Sequence, residues 1–354
     1  MRKRIAIIGH FGGNEEFLDG QTVKTKILFD ELSKNTDWDI QKIDTYLKNR
    51  KPFKLLMKTL LALLFRKDII VLLSGNGMKF FFPILSFFSG FWKVRVFHDV
   101  IGGNLDKYIK KYPKFKNYLN SFAINWVETE KLRKSLLKCG VENCEVIPNF
   151  KRLSILDEKE IPKEFVEPFR FCTFSRVMKE KGVEDAIESI EKVNEEYGRN
   201  ACALDIYGPV DDAYKSRFED IMRKASDVVK YCGLVPFDKS VNILKDYFAL
   251  LFPTSWMGEG FPGTIVDAYS AGLPVIASDW SSNSELVKDG FNGFMFPSKD
   301  CSDLAEAIKH LISLEKQNIL KIKNNCLKAA KNYQPDEYIK EIISSMLTEG
   351  GKVL

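Results

Sequence analysis

Trp256-Met-Gly-Glu259-Gly260-Phe261-Pro262-Gly263-Thr264-Ile-Val-Asp267-Ala-Tyr-Ser-Ala-Gly272-Leu-Pro274-Val-Ile-Ala-Ser278 follows an apolar run at 248–252. The order reads as a buried strand, a glycine-bearing loop and a helix that Pro262 can open at its first position. Gly272 and Pro274 end that helix. Backbone N–H groups of Gly260, Gly263 and Thr264 then point out of the helix start, where unsatisfied donors and the helix dipole favour anionic or hydroxyl-rich ligands. Glu259 stands at the mouth. Asp267 shares a helix face with Gly263 and Thr264, so two carboxylates can grip hydroxyls along one ligand. Taken singly, either acid reads equally well as a cap or a solvent-facing residue on a crossover helix.

Upstream, Phe171-Cys-Thr-Phe-Ser175-Arg176-Val-Met-Lys-Glu-Lys181-Gly182-Val-Glu-Asp-Ala-Ile187 gives a strand, a short basic loop and a helix with Val183, Ala186, Ile187 and Ile190 at helical spacing. Arg176 and Lys181 bracket the helix start. One offers a planar fork and the other a point charge, a combination suited to a diphosphate. A solvated basic turn is the plainer reading of this loop alone.

With these two segments read, the C-terminal half resembles the retaining glycosyltransferases of family 4, which have the GT-B fold. The matching pieces run from Ser175-Arg176 and Lys181-Gly182 through Ala203-Leu-Asp-Ile-Tyr-Gly208 and Val229-Lys-Tyr-Cys-Gly233-Leu234-Val. They continue through Glu259-Gly-Phe-Pro to Asp267-Ala, Ala271-Gly-Leu-Pro-Val-Ile-Ala-Ser278, and Asn283-Ser-Glu285-Leu-Val-Lys-Asp-Gly290-Phe-Asn-Gly293. The resemblance implies an α/β protein with two Rossmann-like parallel-sheet domains facing each other across a cleft. It also implies that the second acid holds the ribose of a nucleotide, while Glu259 and the backbone after it hold the donor sugar. Donor contacts then extend over Gly260, Phe261, Pro262, Gly263, Thr264, Gly233 and Leu234. The family pattern has Glu at both ends of the seven-residue gap, and here the second acid is Asp267. Aspartate accepts the same two hydroxyl hydrogen bonds with one methylene less reach.

The chain has 354 residues, enough for two domains with separate cores. Its 45% hydrophobic and 29% charged residues read as globular rather than disordered. No run of 18 apolar residues occurs, and the opening Met-Arg-Lys-Arg-Ile-Ala-Ile-Ile-Gly9-His lacks the pattern of a cleaved leader; the expected location is cytoplasmic. The seven cysteines match no zinc spacing, the three histidines are scattered, and Asp37-Trp-Asp39 precedes a strand and reads as a turn. Neither a metal nor a cofactor is expected.

The N-terminal half alternates strands and helices, which argues for a parallel sheet. Strands are expected at 5–8, 69–73 and 94–97, helices at 21–32 and 79–90, and a turn at Gly75-Asn-Gly77. The loop after the first strand, Gly9-His-Phe-Gly12-Gly13, lacks the Gly-x-Gly-x-x-Gly fingerprint of a dinucleotide-dependent dehydrogenase. His98 and Asp99 fall at the carboxyl end of a strand, where open parallel sheets bind ligands. By the resemblance, His98 reaches the donor sugar and Gly12 and Gly13 approach donor or acceptor; a hydrogen-bonded strand-end residue is the other reading of His98. The polar stretch 151–167 reads as the linker, dividing domains at 1–160 and 161–335, with 336–354 crossing back to the first.

The net charge is only +5, but 48–67 holds seven basic residues and no acid, and 107–116 forms a second basic and aromatic cluster. Such patches suit an anionic bilayer surface or a lipid diphosphate acceptor. For 54–65, a sheet-packed helix with snorkelling lysines is the competing reading. No nucleic-acid module is recognisable. The expected chemistry is retaining transfer of a sugar from a UDP- or GDP-type donor to a hydroxyl acceptor, a lipid-linked or surface-polysaccharide precursor. Glu259, Arg176, Lys181 and His98 are the catalytic candidates, and no metal takes part. An epimerase of the same fold, or a silent nucleotide-sugar-binding homologue, are the alternatives.

Overall fold

The structure, a computed structural model, describes residues 2–348 apart from 14, 16–19, 49, 237 and 238. It separates into two compact units, one running to Phe150 and including the last helix, Pro335–Leu347, the other spanning Lys151–Gln334. Residues 151–160 therefore belong with the second unit. Leu156 N–H donates to Ser270 O at 2.8 Å, and Leu153 and Ile155 pack on that unit's core.

The first unit holds a six-stranded parallel sheet: β1 (Arg4–Gly9), β2 (Asp39–Asp44), β3 (Asp68–Val71), β4 (Arg95–Asp99), β5 (Ile124–Val127) and β6 (Cys144–Val146). Their spatial order is β2-β1-β3-β4-β5-β6. Both faces are covered, and side chains alternate between them along each strand. Ile5 and Ile7 pack with Leu28, Leu32 and the last helix's Ile339, Ile342 and Met346. Ala6 and Ile8 join Leu55, Leu63, Phe81, Phe82 and Leu85 on the other face. Those residues belong to the helices Pro52–Phe65 and Gly75–Trp92. Gly75-Asn-Gly77, expected as a turn, is the first turn of the second of these helices. Tertiary burial of Met78 and Phe81 draws the helix back to Ser74, which caps it in extended conformation.

The second unit repeats the plan with β7 (Phe169–Phe174), β8 (Cys202–Tyr207), β9 (Val229–Gly233), β10 (Ala249–Phe252), β11 (Val275–Ser278) and β12 (Gly293–Phe296). The order is β12-β11-β10-β7-β8-β9, all parallel. Chain order reverses between β7 and β10, which are neighbours. In open parallel sheets the loops leaving such a switch point part to opposite faces and leave a crevice at the strands' carboxyl ends. The two segments that carry the sequence motifs are the two loops that leave this point.

Candidate functional site

The loop after β7 runs from Ser175 to Gly182 and feeds the helix Val183–Tyr197. Gly182 has φ 73°, and a Cβ there would lie 2.2 Å from Pro253 O, in the loop after β10. Only glycine permits that approach in a left-handed conformation. Gly208, with φ 132°, is pressed against the loop after β7, since a Cβ on it would stand 1.8 Å from Ser175 O.

This close seating joins Lys181 to Glu259. The Lys181 Nζ lies 2.6 Å from Glu259 Oε2, and Thr254 Oγ1 donates to the same oxygen at 2.8 Å. Both side chains are largely buried. The ammonium also stands 4.9 Å from the Trp256 ring centroid and 5.6 Å from that of Phe252, close enough for cation–π attraction. Backbone bonds hold the loop: Ser255 N–H donates to Glu180 O at 2.7 Å, and Ser281 Oγ to Glu259 O at 2.7 Å. Sequence reading assigned Lys181 to a diphosphate and Glu259 to a sugar separately. The fold makes them one ion pair, because β10 lies beside β7. Thr254 went unnoticed, although its place directly after the β10 strand was a usable signal.

Arg176 is placed differently. Its side chain is half exposed, and its salt bridge to Asp211 is long, 3.9 Å, so most of its five donors face solvent.

The helix Gly263–Ser270 begins one residue later than expected, with Pro262 as its N-cap at φ −76° and ψ 103°. Thr264 Oγ1 donates to Phe174 O at 2.8 Å, tying this helix start to the end of β7. The Phe261 ring turns into the core, 5.3 Å from Tyr333, so what this residue offers a ligand is its backbone. Asp267 is buried rather than solvent-facing. Lys151, the first residue of this unit, places Nζ 2.7 Å from Asp267 Oδ1. Burial pushes the Asp267 carboxyl above its ordinary value, and Lys151 pulls it partly back. Lys151 opens the stretch that reads as linker, and nothing local marks a partner 116 positions away. Gly233 ends β9 at φ 77° with its carbonyl accepting from Gly208 N–H at 2.9 Å, and the adjacent Leu234 is exposed.

In the first unit the order reverses between β1 and β3. Gly12 and Gly13, at φ 83° and 59°, lie in the loop after β1. Asp44, at the end of β2, receives Phe11 N–H at 2.9 Å and Gly13 N–H at 2.8 Å and so fixes that loop. His98 lies one strand away from the switch point and is fully enclosed. Its ring meets Phe82 edge-on at 4.9 Å and Phe122 at 6.2 Å, with Nδ1 3.1 Å from Asn125 Oδ1. Burial holds its pKa down at about 4. As placed, His98 is enclosed, with Nδ1 beside Asn125 and Nε2 buried without a hydrogen-bond partner among the described residues. Asp99 is also internal, ion-paired at 2.6 Å with Lys24, which reaches Glu128 at 2.9 Å. Among the described residues, no three His, Cys, Asp or Glu side chains gather as a metal-binding group.

Known proteins provide a further line of comparison. The sequence model of the family described as glycosyl transferases group 1 matches residues 154–333. The chain is 26% identical over 170 residues to the amylovoran biosynthesis glycosyltransferase AmsK of Erwinia amylovora, covering 46% of this chain and 41% of that one. It is 23% identical to the uncharacterized glycosyltransferase MJ1059 of Methanocaldococcus jannaschii, over 92% of this chain and 89% of that relative. The match to AmsK thus takes in less than half of that relative's length. Among solved structures, Anabaena HepE in complex with UDP and glucose superposes with a TM-score of 0.75 at 14% identity, covering 98% of this chain and 99% of HepE. That likeness concerns the fold, two parallel-sheet units of the GT-B class. With the family match covering the whole segment that carries both motif loops, this chain belongs to the glycosyl transferases group 1.

Proposed function

We propose that the protein transfers a sugar from a UDP- or GDP-type nucleotide sugar to a hydroxyl acceptor, with retention at the anomeric carbon and no essential metal, as in family 4. The observation that carries this reading is the Lys181–Glu259 pair at the β7/β10 switch point, with the half-exposed Arg176 on the same loop as Lys181. Cations preorganised in a partly dry site stabilise charge on a departing diphosphate at no cost of reorganisation. Lys181 and Arg176 take that role. Both bonds to the Glu259 carboxylate fall on Oε2, which leaves Oε1 lone pairs for a hydroxyl of the donor sugar. Asp267 accepts from the ribose, and the backbone of 260–264 lines the donor.

In the reaction, the bond from the anomeric carbon to the diphosphate oxygen breaks with its electron pair going to the phosphate. The acceptor oxygen attacks from the same face, and its proton passes to the departing phosphate oxygen. No side chain need serve as a covalent nucleophile. Similarity to AmsK, named for amylovoran biosynthesis, and over 86 residues to an Escherichia coli galactosyltransferase named for a diphosphoundecaprenol-linked acceptor, supports a polysaccharide or lipid-linked precursor as acceptor.

Thermal unfolding with UDP, GDP, ADP and CMP tests the donor site. Saturation a hundredfold above the dissociation constant adds about 2.7 kcal/mol, a rise of several degrees. A selective rise with one nucleotide is the expected result; none with any of them sinks the reading. Product with inverted anomeric configuration would overturn retention, and conversion of the donor without acceptor would make the protein an epimerase.

A further inference from the structure

Two helices of the first unit carry apolar side chains that no described part of that unit covers. In Pro52–Phe65, Leu55, Thr59, Ala62 and Leu63 face the sheet. On the opposite face Phe53, Met57, Leu61 and Leu64 follow at spacings of four, four and three, all exposed, Phe53 to 82%. In Gly75–Trp92, Met78, Phe81, Phe82 and Leu85 turn inward. Phe80, Phe87 and Phe91 share the outward face, and the helix ends in Phe91-Trp92 with Phe91 76% exposed. The exposed rings cluster: Phe87 and Phe91 are 4.9 Å apart, and Trp92 stacks on Phe88 at 5.0 Å. Both helices lie on the same face of the sheet, so both stripes point away from it on one side.

Charge identifies the occupant. Residues 45–98 contain ten Lys and Arg and a single acid, Asp68, which is buried and paired with Lys3 and Arg95. Lys54, Lys58, Lys67, Lys79 and Lys93 border the apolar stripes. The second basic cluster comes alongside, with Lys79 over the Tyr112 ring at 4.8 Å and a groove shared with Lys111 and Lys114. Arg50, Arg66 and Arg95 are paired with Glu15, Asp39 and Asp68, and a second copy of this chain would bring the seven remaining cations of this segment and none of its acids to the contact. An interface that is apolar at its centre, cationic at its rim and ends a helix in tryptophan matches a bilayer with anionic headgroups.

We propose that this face docks on an anionic lipid bilayer, with Phe53, Met57, Leu61, Phe87, Phe91 and Trp92 entering the acyl boundary and the bordering lysines meeting headgroup phosphates. The docking goes beyond the donor chemistry and does not depend on it.

The test uses the full chain with phosphatidylcholine vesicles, with and without phosphatidylglycerol. Cosedimentation is expected with the anionic vesicles, weakened but not abolished by salt, and tryptophan emission should be quenched by lipids brominated in the acyl chain. The double substitution Phe91→Glu with Trp92→Glu should lower vesicle partitioning at least about tenfold, with an unchanged unfolding midpoint. Phe53→Glu, at a position still more exposed, repeats the test should the double variant fold poorly. Failure to bind anionic vesicles overturns the proposal. So does binding that the aromatic substitutions leave intact, or a dimer in solution that they split without any vesicle binding.

Discussion

The two units place titratable groups at the carboxyl ends of their sheets in opposite ways. In the first, Lys24, Asp99 and Glu128 satisfy one another inside the protein, and His98 is enclosed by Phe82, Phe122 and Asn125. In the second, Lys181 and Glu259 pair at the switch point while Arg176 on the same loop keeps most of its donors in solvent. A buried triad has balanced its charges internally, with Lys24 also donating to Val100 O. A pair beside an unspent guanidinium still has charge to offer, and so the chemistry is assigned to the second unit.

The sharpest way to break that contrast is Lys181→Ala. Turnover should fall on the order of 100-fold or more. Because Glu259 would be left buried without its cation, stability should fall by about 3–5 kcal/mol, read by denaturant unfolding. Loss of stability with turnover intact would make the pair structural, like the triad of the first unit.

His98 gives the second test. Burial first, then the nearby charge of Lys24, hold its pKa at about 4 against an ordinary 6.5, so between those values the unfolded chain binds a proton that the native state refuses. Its contribution is present above pH 6.5 and lost as pH falls toward 4, on the order of 3 kcal/mol in all. Asp99, pushed by burial to about 6, works in the opposite sense: its contribution is whole below its ordinary 3.8 and lost as pH rises through 6. The two slopes oppose in one window. His98→Gln should therefore remove part of the fall in stability between pH 6.5 and about 4, measured by unfolding of both proteins at each pH. A profile unchanged by the substitution would mean the imidazole is not enclosed.

Arg176→Ala comes third. Turnover should fall by roughly 100-fold, about 2.7 kcal/mol of transition-state stabilisation, with the unfolding midpoint unmoved because a half-exposed side chain is lost. A smaller effect, about tenfold in nucleotide dissociation constant, is expected for Asp267→Asn, which keeps shape but removes the charge offered to the ribose. Isothermal titration reads it; unaltered affinity would assign Asp267 wholly to its pair with Lys151.

Much of this was legible in the residues. The apolar run before Glu259, the glycines after it and the basic loop at 175–182 indicated two strand–loop–helix units and most of the residues that the proposed function places at the donor. The beginning of the helix at Gly75 was not legible, since glycines read locally as a turn and the burial of Met78 and Phe81 outweighs that preference. The standing of His98 was not legible either. A strand-end histidine looks the same in sequence whether it faces a ligand or a phenylalanine.

By itself the sequence determined what depends on neighbours a few positions apart: strands by apolar runs, helices by their spacing, and glycines where the chain must turn left-handed or approach closely. Tertiary structure decided which charges meet. Lys181 and Glu259 are 78 positions apart, and Lys151 and Asp267 are 116 apart. It also decided which faces of the helices Pro52–Phe65 and Gly75–Trp92 remain uncovered. Pairing and exposure follow from strand order and from what else packs on a sheet, and no local pattern carries that information.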